Sequence, residues 1–134
     1  MSLHVITRVA AAAAVLASIA AGYAAIDLKG DYKVEFVVQE SNYTGTAKTT
    51  PGTKGAFTGK WEFSSPSTVT ADVKGKTVGD SLTFDATYVD NGRNCTGSLT
   101  GKGTVEKDGN KAAGTIAIND SCGGELSGTF RLWR

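Results

Sequence analysis

Tyr32-Lys33-Val34-Glu35-Phe36-Val37-Val38 is the stretch that decides the fold. Tyr32, Val34, Phe36 and Val38 alternate with Lys33, Glu35 and Val37, so an extended chain here is apolar on one face and largely polar on the other. The same two-residue period recurs downstream. It is carried by Phe57, Gly59, Trp61 and Phe63, by Val69, Ala71 and Val73, by Leu82, Phe84, Ala86 and Tyr88, and by Leu99, Gly101, Gly103 and Val105. Gly114, Ile116 and Ile118, then Leu126, Gly128, Phe130 and Leu132, complete seven strands. Residues 44–56, rich in Thr and Gly and holding Pro51, read as a poor edge strand or a loop.

Turn signals separate these strands at Gly79-Asp80, Asp90-Asn91-Gly92, Asp108-Gly109-Asn110 and residues 119–124. Connections this short join antiparallel neighbours. No helical period follows the first two dozen residues, so no crossover helix is expected. An open sheet would leave its apolar face wet, whereas closure buries that face and removes the edges. The expectation is an all-β, small antiparallel up-and-down barrel of seven or eight strands, with a β-sandwich as the alternative.

Arg8 leads into an apolar run over residues 9–21, followed by Gly22-Tyr23-Ala24-Ala25. A basic start, a short apolar centre and small residues describe a secretory signal peptide over 1–24, leaving a single domain over 25–134. The run is shorter than the roughly 20 apolar residues of a spanning helix. The expected location is therefore periplasmic or extracellular, with no membrane span after cleavage. Setting Arg8 aside leaves as many basic as acidic side chains, interspersed along the chain. That pattern offers no basic stripe for nucleic acid.

Cys95 and Cys122 are the only cysteines, and export permits their oxidation. They fall at the starts of strands that run the same way, two apart in a meander. Such strands lie roughly 10 Å apart, wider than a disulfide reaches, so one cysteine has to bend in through its loop. Gly123-Gly124 supplies the bend.

The only histidine is His4, in the leader, so the domain cannot assemble a Ser-His-Asp or Cys-His site, nor a histidine-based zinc site. No enzyme activity, cofactor or metal is expected. Glu35, Glu62, Asp72 and Asp85 fall on the outward parity as solvated charges. Asp90, Asn91 and Asn94, like Asp108 and Asn110, match no calcium loop and read as turn residues. Tyr32, Phe36, Trp61, Phe63, Phe84, Tyr88 and Phe130, with Phe57, fall on the inward parity and form the candidate ligand-binding interior. A barrel of about eight strands holds either a packed core or one small ligand, and glycines at 97, 101, 103, 114 and 128 relieve crowding inside it.

Gly30-Asp31-Tyr32 opens the first strand, Arg131 lies in the last, and Gly59-Lys60-Trp61 and Gly128-Thr129-Phe130 repeat a Gly-x-aromatic start. In these features the chain resembles the calycins, the superfamily of lipocalins, fatty-acid-binding proteins, avidins and bacterial metalloprotease inhibitors. Tyr32 stands where calycins tend to have Trp, and no run matches the biotin-contacting set of avidins. The resemblance implies a non-enzymatic barrel that binds a small apolar ligand inside or a protein partner at its rim. Its alternatives are an inhibitor of a secreted protease, working through residues 25–29, or a structural envelope component.

Overall fold

The structure, a computed structural model, describes residues 24–134, so the leader expected over 1–24 lies outside the described residues apart from Ala24. Eight strands follow one another: β1 (Gly30–Val38), β2 (Ser41–Pro51), β3 (Ala56–Ser65), β4 (Val69–Val78), β5 (Ser81–Asp90), β6 (Cys95–Val105), β7 (Lys111–Asp120) and β8 (Gly124–Trp133). Each pairs antiparallel with the next, and β8 returns to β1 from Lys33–Trp133 to Val38–Gly128, closing the barrel. Among the described residues no helix is long and apolar enough to cross a membrane.

The inward parity read from the sequence fills the interior. Tyr32, Val34, Phe36, Phe57, Trp61, Phe63, Leu82, Phe84, Phe130 and Leu132 are all buried, and the intervening charged positions face out. Residues 44–56 depart from expectation: 44–51 belong to a full strand, β2, bonded on both sides. Its inward positions are small, Gly45, Ala47 and Thr49, because Phe63 and Trp61 on β3 stand directly across from Gly45 and Ala47 and occupy that space. Glycines opposite aromatics recur. Phe84 lies across Gly101 and Tyr88 across Gly97, and a Cβ at either glycine would collide with the ring. Below Trp61, a Cβ at Gly59 would stand 2.7 Å from the indole nitrogen.

One end of the barrel is closed by the segment that enters β1. Leu28 is buried there, the Ile26 amide donates to Gly79 O (3.2 Å), and Thr77 Oγ1 donates to Ile26 O (2.8 Å). The Tyr32 hydroxyl donates to Gly109 O at 2.7 Å, and the Arg134 guanidinium lies 4.4 Å over the Tyr32 ring while donating to Lys29 O. Arg131, which carried part of the calycin resemblance, lies in the last strand and on the outward parity as read from the sequence: it reaches Glu35 Oε1 (2.8 Å) and lies over Trp133, while Arg134 is the residue at the closed end.

Cys95 and Cys122 are bonded, with Cα atoms 5.9 Å apart. Cys122 reaches in from the β7–β8 turn, where Gly124 adopts φ +74°. The Ser121 amide, donating to Thr96 O (2.8 Å), holds that turn against β6. For a loop of this length, chain entropy gives a stabilisation of about 2 to 4 kcal/mol. Reduction is expected to lower Tm accordingly in a calorimetric scan; an unchanged Tm with two titratable thiols would contradict it.

Alternation of chain direction also sorts charge in a way the linear sequence hides. With each strand divided at its midpoint, the half away from the closed end carries seven acidic side chains and one basic, Arg93. The closed half carries twelve basic and six acidic.

Candidate functional site

The packed interior does not reach the other end. Five aromatic rings form a column: Phe130 meets Phe84 (centroids 5.0 Å), Phe84 meets Trp61 (5.1 Å), Trp61 meets Phe36 (6.2 Å) and Phe36 meets Phe63 (4.8 Å). Above Phe36 and Phe63 lies a cavity of about 370 Å3, walled by Val38, Val69, Ala71, Leu99, Ile118 and Leu126. It has room for on the order of ten waters. Larger depressions on the outer wall are lined by strand-face polar groups such as Asp72, Asp85, Ser98 and Glu125.

The sequence-predicted interior residues therefore divide. Phe36, Phe63 and Tyr88 line the cavity. Tyr32, Trp61, Phe84 and Phe130 do not, because they pack below its floor and into the closed end. The buried Trp61 Nε1–H has no hydrogen-bond partner among the described residues.

A polar cluster spans the mouth. Asp120, 5 % exposed at the end of β7, is its centre. Its Oδ2 accepts from Arg93 Nη2 (2.8 Å), from the Gly123 amide (2.8 Å) and from the Cys122 amide (3.1 Å). Its Oδ1 accepts from the Tyr88 hydroxyl, whose ring crosses Gly97 to reach it. Asp90, 1 % exposed at the end of β5, accepts from the Ser67 hydroxyl (2.9 Å) and the Arg93 amide (3.1 Å). The second Arg93 terminal nitrogen lies 3.5 Å from Asp90 Oδ2. Arg93 is thus shared between two carboxylates, with Tyr43 at its side.

These contacts set the protonation states. Burial alone would raise the Asp120 carboxyl, but the hydrogen bonds from Tyr88, Gly123, Arg93 and Cys122 together hold it below its ordinary value. Burial, then the bond to the Asp120 carboxylate, pushes the Tyr88 phenol well above its usual range. Asp120 and the neighbouring Tyr43 hydroxyl raise Arg93 further. These shifts favour a charged Asp120 carboxylate and Arg93 guanidinium beside a neutral Tyr88 phenol; with two acidic side chains and one basic, the cluster has a formal charge of −1.

Sequence reasoning treated Asp90 as a turn residue and missed Tyr43, Arg93 and Asp120. Parity held the signal for the two carboxylates: Asp90 continues the inward series of Tyr88, and Asp120 that of Ile118. A charge on the inward parity has to be paired, so a strand-end acid there marks a built cluster. Tyr43 was hidden with the small inward residues of β2.

Cys95, Asp120 and Cys122 bring three potential ligand atoms within 4.8 Å of one another, but the two sulfurs are bonded to each other. In the two acidic turns, Asp90 bonds Ser67 and the Arg93 amide, and Asp108 Oδ1 accepts from the Asn110 amide (2.9 Å).

No protein-family model matches the sequence, and no curated protein is similar to it. Solved structures do share its fold. EF1p2_mFAP2b bound to DFHBI superposes with a TM-score of 0.62 at 15 % identity, over 80 % of this chain and 93 % of that one. The redesigned β-barrel b11L5F_LGL gives 0.59 at 18 % identity, over 80 % and 90 %. The redesigned β-barrel mFAP1 bound to DFHBI gives 0.55 at 20 % identity, over 80 % and 94 %. At these identities the likeness is one of fold: a small, closed, eight-stranded antiparallel barrel.

Proposed function

We propose that the protein is an exported, calycin-like binding barrel, without enzyme activity, that holds a small and largely apolar ligand in the mouth cavity. The observation that carries the reading is the cavity itself. A concave space with apolar walls above a packed aromatic floor, and with fixed polar groups such as Asp90, Arg93 and Asp120 at its rim, is a common build for a small-molecule site, and 370 Å3 lies within the usual range. Two of the barrels with this fold were solved with DFHBI bound, which supports the reading by analogy of architecture. The protease-inhibitor alternative loses support because residues 25–29 are engaged in closing the barrel, with Leu28 buried and Ile26 bonded at both its amide and carbonyl.

The test is binding of a neutral apolar fluorophore, N-phenyl-1-naphthylamine. Saturable, one-to-one binding with a blue shift is expected. Leu126→Trp, which fills the mouth from a half-buried rim position, should weaken it at least tenfold with little change in Tm. Saturable binding that ignores this substitution would remove the mouth as the site.

A further inference from the structure

We infer that the mouth cavity selects a cationic ligand, an alkylated ammonium group on an apolar body; this rests on the binding reading above and specifies its ligand class. Three independent features converge on it.

The lining is the first. Phe36, Tyr43, Phe63 and Tyr88 all border the one cavity. Aromatic faces attract a desolvated cation through the ring quadrupole, and several rings around one space form the arrangement that receives quaternary ammonium groups.

The second is the state of Arg93, the only base at the mouth among the described residues. Arg93 is already held by Asp120 at 2.8 Å and Asp90 at 3.5 Å. An anionic ligand seeking Arg93 would meet two buried carboxylates beside it and would have to break an ion pair to gain one. A cation meets a cluster with net negative charge and breaks nothing.

The third is the field around the opening. Of the acids in the mouth half, Glu35 is paired with Arg131 and Asp72 with Lys60. Glu40, Glu62 and Glu125 have no ion-pair partner among the described residues, and the lysines gather at the far end. Charge separated along a barrel axis draws cations toward the negative opening, and a low-dielectric cleft focuses that field. At physiological salt the outer-face charges act over roughly 8 Å, so their contribution shrinks as salt rises, whereas that of the cavity lining persists.

The experiment compares three probes of one size on the full-length protein by calorimetry: phenyltrimethylammonium, its uncharged isostere tert-butylbenzene, and benzenesulfonate. The expected order is cation first, by about tenfold over the neutral isostere, with the sulfonate weakest and the cation's advantage reduced but not abolished at high salt. Tyr43→Leu should cut the cation's affinity at least threefold while leaving the neutral probe nearly unchanged. If the neutral isostere binds as tightly as the cation, or the sulfonate binds best, the charge preference is overturned while the binding barrel stands. If none of the three binds and N-phenyl-1-naphthylamine does not either, both readings fall.

Discussion

Trp61→Ala is expected to lower the unfolding free energy by about 3 to 5 kcal/mol, the range for removing a large aromatic from a core. The indole is fully buried, at 0 % exposure, and stands between Phe36 and Phe84 in the aromatic column. Its cross-strand neighbours are Ala47 and Ala71, which are too small to fill the space it leaves. Both sit on a closed barrel wall that cannot collapse inward without breaking strand pairing. A domain with about 5 to 15 kcal/mol in total would lose a large part of it. Trp61→Phe should cost much less. It keeps an aromatic in the column and removes a buried N–H that has no partner among the described residues, a group whose desolvation penalises the folded state by about 1 to 3 kcal/mol. Urea unfolding followed by far-ultraviolet circular dichroism measures both. Equal losses for the two variants would mean that the column is not what props the barrel open at this level.

The column also shows how much of the molecule could be read from the residues. Strand parity sufficed for the barrel wall and for the buried state of Trp61, Phe84 and Phe130, because a one-residue slip would have put a row of charges inside. It could not say where along the axis packing stops and space begins. That depends on which aromatics face glycines and small residues across the strands, and so on register. Phe84 against Gly101 and Trp61 against Ala47 fill the centre, whereas Ala71, Leu99 and Ile118 border the open space at the mouth.

β2 shows the complementary failure. A strand whose inward residues are Gly45, Ala47 and Thr49 carries little hydrophobic signal, and its reason for being a strand lies in its neighbours. Charge followed the same logic. Lys48, Lys60, Lys74, Lys102 and Lys111 are spread along the chain, yet all fall in the closed half, because each hairpin returns the chain to the same end. Interspersed charges in an up-and-down barrel become a polarised surface whenever their spacing matches the hairpin repeat of the strands.

Asp120→Ala is expected to destabilise the protein by about 3 to 5 kcal/mol, the cost of breaking a buried pair from one side, and to flatten the dependence of stability on pH. Removing the carboxylate leaves the Tyr88 hydroxyl and the Cys122 and Gly123 amides without their acceptor, and leaves Arg93 with the more distant Asp90 as its remaining ion-pair partner among the described residues. Partial exposure of Arg93 places the expected loss toward the lower end of that range. The pH dependence follows from the two shifted groups. The Asp120 carboxyl is held below its ordinary value in the folded state, so the stability it contributes is complete above about pH 4, the unfolded value, and is lost as pH falls through the lower, folded value. The Tyr88 phenol is raised, so its contribution is complete below about pH 10, where the unfolded phenol begins to ionise, and is lost as pH rises beyond that toward its folded value. Wild-type stability should therefore show a plateau between about pH 4 and pH 10 with a fall on either side. Asp120→Asn should remove most of the acid limb, and Tyr88→Phe most of the alkaline limb. Urea midpoints measured across pH decide this. An acid limb unchanged in Asp120→Asn would show that the carboxylate is not the group that holds the mouth cluster together.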